Sequence, residues 1–216
     1  MLTKLINVEM VFNTELYKFN NTIDSVYFPL SGILSLLAEV DKGSTTEVGI
    51  VGREGMIGLP IFLGVKESHV AAVVQGTGRA MRMNATDFQS ECTRGGALNT
   101  VLRRFANSMM VQISQSAVCF RFHVIEQRLA RWLLMTSDRM ESNEFRVTQT
   151  FLSNMLGVRR EAVNRAAKAL EANSLVSNRR NSITIVDKQG LANASCVCYG
   201  LIRTEEKRAL NAHQSH

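Results

Sequence analysis

The chain has 216 residues, of which 45% are hydrophobic and 20% are charged, a composition typical of a globular protein with one large or two small domains. No apolar run approaches the ~18 residues of a membrane span, and the amino terminus lacks the charged-then-apolar pattern of a signal peptide, so we expect a cytoplasmic protein without a membrane partner. The net charge of +6 is uneven, because residues 1–96 carry −2 whereas residues 97–140 and 141–216 each carry +4. This asymmetry indicates an acidic partner such as nucleic acid for the carboxyl-terminal half, although basic faces are also often simply solvated.

Residues 1–96 have the pattern of a small β-barrel or jelly roll. The segments "DSVYFPLSGILSLLAEV", "TEVGIVG" and "VAAVVQGTGRAMRM" predict short strands, and eleven of the fourteen glycines lie in this region, where tight turns are needed. The segment "GMIGLPIFLG" interrupts the alternation and predicts a short buried helix or loop. We therefore predict a β-roll over residues 1–96.

Residues 97–122 are predicted to form one long helix. No glycine or proline occurs between Gly96 and Gly157, and apolar side chains recur at steps of three and four residues. Such a stripe can pack on the β-roll or on the same helix of a second subunit in a dimer. The residues of the stripe are Leu98, Leu102, Phe105, Met109, Ile113, Ala117 and Phe120. A second helix follows in "HVIEQRLARWLLMTSDR", with Val124, Leu129, Trp132 and Leu133 as candidate core residues.

Residues 123–216 contain the pattern of a winged helix–turn–helix. Thr148 is a suitable N-cap for a helix that runs to Leu156, Gly157 ends that helix, and another helix begins within two residues. The segment "SLVSNRRNSITIVD" then predicts two strands around a turn at residues 178–181. The polar end "EEKRALNAHQSH" is expected to fray.

The second helix of this unit, within "LGVRREAVNRAAKAL", has one face of small apolar side chains and one basic face. If the basic face lies in a DNA major groove, its first residues can read base edges and the flanking ones can contact phosphates. The predicted base-reading residues are Arg160, Glu161, Asn164 and Arg165. The predicted phosphate contacts are Thr148, Arg159, Lys168, Arg179 and Arg180.

These segments resemble the CRP/FNR superfamily of bacterial transcription regulators over nearly the whole chain. "VTQTFLSNMLGVRREAVNRAAKALEANSLVS" is similar to the helix–turn–helix of that family, whose Arg-Glu-x-x-x-Arg signature falls on Arg160, Glu161 and Arg165. "VYFPLSGILSL" and "VGREGMIGLPIFLG" resemble its cyclic-nucleotide-binding-type β-roll, and "RLARWLL" resembles the helix after its hinge. The resemblance implies an α+β fold with a jelly-roll-like β-roll, a dimerisation helix at 97–122 and a winged helix–turn–helix domain at 123–216. It also implies a homodimer whose interface is the apolar stripe of the long helix, from Leu98 to Phe120, on a palindromic operator in double-stranded DNA. A signal received by the β-roll and, for an activator, RNA polymerase as a partner are implied as well.

The chain departs from the nucleotide-binding members of the family at the elements that hold the ribose and the cyclic phosphate. Their Gly-Glu-Leu element corresponds to Gly58-Leu59-Pro60, and the region of their Arg-Ser-Ala element reads "ESHVA" at residues 67–71. Neither the carboxylate nor the guanidinium is present, and a cyclic phosphate buried without a cation is costly. We therefore predict that cyclic AMP is not the effector, and we predict no cofactor.

The cysteines offer a different candidate for a sensor. Cys119 and His123 are four residues apart on a predicted helix, and Cys196 and Cys198 form a Cys-x-Cys pair. These four residues can join around zinc or an iron–sulfur centre if the fold brings the tail near the hinge. The alternative is that they are small buried hydrophobic residues and a helix histidine with no redox or metal role.

No nucleophile–base set, phosphate-binding glycine loop or paired carboxylates stand out, so we do not expect an enzyme. Two hypotheses of function remain. The first is a sequence-specific transcription regulator. The second is a ligand- or protein-binding β-roll module whose carboxyl-terminal domain binds nucleic acid only non-specifically.

Overall fold

Two antiparallel sheets enclose the core of the amino-terminal half in the computed structural model, which describes residues 2–41, 44–179 and 181–211. The strands of this half are β1 (Ile6–Met10), β2 (Glu15–Tyr17), β3 (Asn21–Thr22), β4 (Ser25–Pro29), β5 (Ile33–Asp41), β6 (Ser44–Val51), β7 (Glu67–Ser68), β8 (Val70–Gly76) and β9 (Gly78–Asn84). One sheet has the strand order β1-β9-β4 and the other β2-β8-β5-β6, and a short pair joins β3 to β7. The predicted β-roll is thereby confirmed, and its core contains apolar side chains from both sheets, such as Val26 and Leu34.

The remaining elements are mostly helical. The short helix predicted within "GMIGLPIFLG" is present as α1, whose start follows Gly58 in the left-handed conformation (φ 94°). The helices are α1 (Leu59–Phe62), α2 (Ala85–Thr93), α3 (Ala97–Phe122), α4 (Ile125–Met140), α5 (Gln149–Leu156), α6 (Arg160–Ala172), α7 (Lys188–Ala194) and α8 (Val197–Asn211). Strands β10 (Glu144–Phe145), β11 (Val176–Arg179) and β12 (Ser182–Ile185) form a third sheet in the order β10-β12-β11. No helix in the described ranges has both the length and the apolar content needed to cross a membrane.

The polar tail does not fray as expected, because α8 continues to Asn211 and packs along α3. Asn107 Nδ2 donates to Glu205 Oε1, and Glu206 pairs with the buried Arg139 of α4. These contacts come from distant parts of the chain, so the polar composition of the tail alone gives no indication of them. Residues 212–216 lie outside the described residues.

Helix α3 is fixed to the edge of the second sheet by a polar side chain. Gln112 Oε1 accepts a hydrogen bond of 2.6 Å from the backbone nitrogen of Ile50, and Gln112 Nε2 donates to the backbone oxygen of Ile50 at 3.2 Å. The side-chain amide of Gln112 therefore makes the two backbone hydrogen bonds that a neighbouring strand would make with Ile50 of β6. This buried glutamine lies beside the apolar stripe that the sequence predicts.

Helix α4 lies between the β-roll and the carboxyl-terminal helices, and eleven of its sixteen residues are buried. Leu129, Trp132 and Leu133 belong to a core that also contains Ile33 and Ile50 of the β-roll. The prediction that Val124 is a core residue is wrong, since it precedes the helix and is exposed. Because α4 is enclosed on almost every side, it joins the two halves through one continuous core.

Candidate nucleic-acid interface

The helix–turn–helix is formed by α5 and α6, and local signals fix both ends of its first helix. Thr148 is the N-cap, and its side-chain oxygen accepts from the backbone nitrogen of Phe151 at 3.0 Å, which leaves the hydroxyl proton of Thr148 free to donate. Gly157 adopts the left-handed conformation (φ 60°) that ends α5, and α6 begins three residues later. These capping positions are those that the sequence indicates.

Helix α6 separates a docking face from an exposed polar face, as its sequence predicts. Val163, Ala166 and Ala167 are buried in the core shared with Leu152 and Met155 of α5. The small side chains let the two helices approach closely. The exposed side chains of the polar face are Arg159, Arg160, Glu161, Arg165 and Lys168.

Asn164 differs from the other candidate base-reading residues, because it is half-buried and already has a partner. Gln149 Nε2 donates to Asn164 Oδ1 at 3.2 Å across the turn between the two helices. The contact leaves the side-chain NH₂ of Asn164 available as a donor. Gln149 is a residue that the sequence-based reasoning missed, since a glutamine at the start of a helix carries no distinctive signal.

The wing is a tight hairpin in which Arg179 of β11 pairs with Ser182 of β12. Arg179 is exposed, whereas Arg180, the other predicted phosphate contact of the wing, lies outside the described residues. The hairpin is tied to the rest of the domain, because the backbone nitrogen of Val147 donates to the Asn181 carbonyl at 3.1 Å. This contact holds the exposed Arg146 beside the wing turn. Arg146 was not among the predicted phosphate contacts, although its positive charge could have indicated such a role.

The helix–turn–helix docks against the β-roll of its own chain. The ring of Phe151 in α5 lies 6.2 Å from that of Phe12 in the β-roll and 6.2 Å from that of Trp132 in α4, measured between centroids. Phe151 thus contacts the β-roll, whereas Leu152 and Met155 share a core with Val163 of α6. The basic face of α6 remains exposed in this arrangement.

A buried arginine forms a second link between the two halves. Arg139 Nε lies 2.7 Å from Glu54 Oε1 in the β-roll, and the same guanidinium pairs with Glu206 of α8. Arg139 Nη1 also donates to the Met135 carbonyl at 3.1 Å. One cation therefore joins three elements, and both of its carboxylate partners are largely buried.

The apolar stripe of α3 faces the β-roll over most of its length, which corrects the predicted dimer interface for three of its residues. Leu102, Phe105 and Met109 are buried in the β-roll core, so these side chains are occupied within the monomer. Leu98 is half-buried against the same core, and its place in the interface stays a prediction. The physical reason is that α3 carries two adjacent apolar stripes, and the larger side chains fill the open side of the β-roll.

The other predicted interface residues of α3 have different surroundings. Ile113 is 43% exposed and Ala117 is exposed, whereas Phe120 is half-buried with the guanidinium of Arg128 4.5 Å from its ring centre. Met110 is absent from the predicted stripe and is 67% exposed. The helix thus presents an uncovered line, which consists of the half-buried Ala106 and the exposed Met110, Ile113 and Ala117.

The β-roll contains a cavity of about 160 Å³ between its sheets and α3. None of the described side chains that line it is charged, and the only hydroxyl among them belongs to Tyr17. Burial raises the pKa of Tyr17 to about 12. Gly58, Leu59 and Pro60 line one wall, and Phe105, Met109 and Ile113 line the wall formed by α3. The cavity therefore offers an apolar ligand a matching surface but offers an anionic group no cation.

The four candidate metal or redox residues come together where α3 meets α8. Cys119 Sγ lies 3.4 Å from Cys196 Sγ, and Cys198 Sγ lies 3.6 Å from His123 Nδ1. All four potential ligand atoms lie within 4.8 Å of one another. The two thiols share this hydrogen bond, which lowers the pKa of Cys196 and raises the pKa of Cys119, and either sulfur atom can be the donor.

Comparison with known proteins agrees with this geometry. The family of Crp-like helix-turn-helix domains matches residues 127–194, which include α5, α6 and the wing. No curated protein sequence matches the chain.

Several solved structures share the fold over most of the chain. FixK2 from Bradyrhizobium japonicum is 14% identical, with 89% of this chain and 98% of that chain covered and a TM-score of 0.75. CLP, the c-di-GMP-responsive global regulator of Xanthomonas campestris, is 18% identical, with coverages of 85% and 95% and a TM-score of 0.70. A CRP-family transcriptional regulator from Thermus thermophilus, TTHB099, is 14% identical, with coverages of 87% and 96% and a TM-score of 0.69. The chain thus has the fold of these regulators, and residues 127–194 match the family of Crp-like helix-turn-helix domains.

Proposed function

We propose that the chain is a sequence-specific, cytoplasmic transcription regulator that binds a palindromic operator as a homodimer and responds to a signal other than cyclic AMP. The observation that carries this proposal is the exposed set of Arg160, Glu161 and Arg165 on a helix whose opposite face is buried against α5. A rigidly supported helix with forked donors and an acceptor at its start suits the major groove.

Base reading and phosphate binding are assigned to different side chains. Arg160 can donate two hydrogen bonds to the O6 and N7 of guanine, and Glu161 can accept from the amino group of cytosine. Arg165 and the free NH₂ of Asn164 lie further along the same face. The proposed phosphate contacts surround this face and are Thr148, Arg159, Lys168, Arg179 and Arg180, to which we add Arg146.

The proposed homodimer uses the uncovered line of α3 as its seam. Ala106, Met110, Ile113 and Ala117 follow one another at steps of four, three and four residues, which is the spacing of a coiled-coil seam. Met110 is 67% exposed, and an isolated exposed methionine of this kind gains from a partner helix. Two copies joined along this seam would present two α6 helices to the two halves of a palindrome.

The proposed signal enters the β-roll. The cavity there is apolar, and one of its lining residues, Ile113, also lies on the proposed seam. A ligand in the cavity would therefore touch the helix that joins the subunits. Cyclic AMP is a poor candidate because the cavity offers its phosphate no cation.

The alternative function is a ligand- or protein-binding β-roll whose basic domain binds nucleic acid without sequence preference. Under that alternative, Glu161 and Arg160 would act only through their charge, and their effects would fade as the salt concentration rises.

If the protein is a transcriptional activator, RNA polymerase is its expected further partner.

The deciding experiment is selection of bound duplexes from a random pool by the purified protein at near-physiological salt. Enrichment of an inverted repeat with half-sites about one helical turn apart supports the proposal. The selection is repeated with cell extract, so that a missing signal is supplied. Salt-sensitive binding without an enriched sequence in either condition favours the alternative.

A further inference from the structure

We propose that Cys119, His123, Cys196 and Cys198 bind one zinc ion and thereby fasten the start of α8 to the bend between α3 and α4. Cys119 lies in the last turn of α3 and His123 is the residue that ends it, while Cys196 and Cys198 flank the first residue of α8. Ligands from two segments 77 residues apart in sequence therefore meet at one point.

The distances suit tetrahedral zinc. Zinc–sulfur bonds of about 2.3 Å and zinc–nitrogen bonds of about 2.0 Å place sulfur atoms about 3.8 Å apart and sulfur and nitrogen about 3.5 Å apart in a tetrahedron. The Cys119–Cys196 distance is 3.4 Å, the Cys198–His123 distance is 3.6 Å, and no pair of ligand atoms exceeds 4.8 Å. Small side-chain rotations would bring all four ligand atoms within bonding distance of one zinc ion.

The charges around the cluster also suit a bound metal. Three thiolates, one neutral imidazole and Zn²⁺ carry a net charge of −1. Arg128 and Arg131 of α4 are buried and lie near Cys119 and Cys196. Among the described residues neither arginine forms a salt bridge, and the Nε of each has no hydrogen-bond partner. An anionic zinc centre would provide these buried cations with a counter-charge.

The burial of the ligands indicates a structural site. Cys119, Cys196 and Cys198 are buried and His123 is half-buried, so the four ligands leave no open coordination position for a substrate. The ion would hold the start of α8 against the last turn of α3. The fourth cysteine, Cys92, lies in α2 and is not part of the cluster.

The test is the metal content of the purified, reduced full-length protein, measured by mass spectrometry of its elements. We expect one zinc ion per chain, retained in Cys92→Ser and lost in Cys119→Ser and Cys198→Ser. His123→Cys should keep the ion, because four thiolates also bind zinc. Cobalt loaded into the zinc-free protein should show the strong visible absorption of tetrahedral thiolate coordination.

Chelation of the wild-type protein provides a measurement that does not depend on folding of the variants. Alkylation mapped by mass spectrometry should modify Cys119, Cys196 and Cys198 only after zinc has been removed. A reduced protein that binds neither zinc nor cobalt would overturn the proposal, as would iron with acid-labile sulfide in place of zinc. Equal alkylation of the three cysteines before and after chelation would also overturn it.

Discussion

Trp132 Nε1 donates a hydrogen bond of 2.9 Å to Glu47 Oε1, and this contact joins α4 to strand β6 of the β-roll. The other carboxyl oxygen of Glu47 lies 2.6 Å from Ser35 Oγ, which lies 2.8 Å from Gln75 Oε1. Ser35 has one hydroxyl proton and cannot donate to both oxygens. A protonated Glu47 that donates to Ser35 satisfies both contacts, and burial raises the pKa of Glu47 to about 7.

The stability of the protein should therefore depend on the protonation of Glu47. Because the folded-state pKa of about 7 exceeds the ordinary value of 4.5, the stabilisation is complete below about pH 4.5 and is lost as the pH rises through about 7. The positive charges of Arg131 and Arg139 oppose the shift without cancelling it. The free energy of unfolding should fall by roughly 3 kcal/mol at most over this range.

Urea unfolding followed by the fluorescence of Trp132, the single tryptophan, measures this dependence. Glu47→Gln should flatten the pH profile, whereas Glu39→Gln, at an exposed position of β5, should leave it unchanged. Identical pH profiles for Glu47→Gln and the wild type would contradict the assignment to Glu47.

Arg139→Met should be strongly destabilising. The substitution leaves Glu54 and Glu206 largely buried without their cation, and such a loss costs about 3–5 kcal/mol. The matched control is Arg208→Met, because Arg208 is exposed and its pair with Glu205 is worth about 1 kcal/mol or less. Chemical denaturation gives both values, and equal effects of the two substitutions would contradict the role of Arg139.

Met110→Glu should dissociate the proposed dimer, because it places a charge on the seam. Sedimentation equilibrium measures the association, and Val65→Glu, at an exposed position of the β-roll, should have no effect on it. Leu102→Ala should lower the free energy of unfolding by about 2–5 kcal/mol and leave association intact, since Leu102 is buried in the monomer. A dimer that survives Met110→Glu would rule out this seam.

Substitutions on α6 should separate base reading from phosphate binding. Arg160→Ala should cost about 1–3 kcal/mol of operator affinity, and Glu161→Gln should relax the preference at one base pair. Lys168→Ala should weaken all sequences about equally and reduce the salt slope by about one. Gel-shift titrations at several salt concentrations measure these effects, with Lys207→Ala on α8 as the control. A Lys168→Ala protein with altered sequence preference would contradict this division.

The parts of the fold that depend on local signals could be predicted from the sequence. Thr148 and Gly157 define α5 because capping depends on the residue itself and its near neighbours. The two faces of α6 follow from helical periodicity alone.

The parts that depend on distant contacts could not be predicted in this way. Periodicity identifies an apolar stripe on α3 but not which of two neighbouring stripes faces the β-roll. Leu102, expected at the dimer interface, is therefore buried in the monomer, and Met110, absent from the predicted stripe, is exposed. The polar sequence of α8 gives no sign that Glu206 meets Arg139. The meeting of Cys119 with Cys196 likewise depends on the path of the chain through the whole second half.

The contact of Gln112 with Ile50 also bears on aggregation. β6 is the edge of its sheet, and the free N–H and C=O groups of an edge strand can pair with another chain. The side-chain amide of Gln112 hydrogen-bonds both the N–H and the C=O of Ile50. A side chain of α3 therefore prevents another strand from pairing with β6 at Ile50. If α3 were detached, the unpaired backbone groups of this edge strand would be open to pairing with another chain. In the folded protein, the contact of α3 with β6 therefore protects against edge-to-edge association.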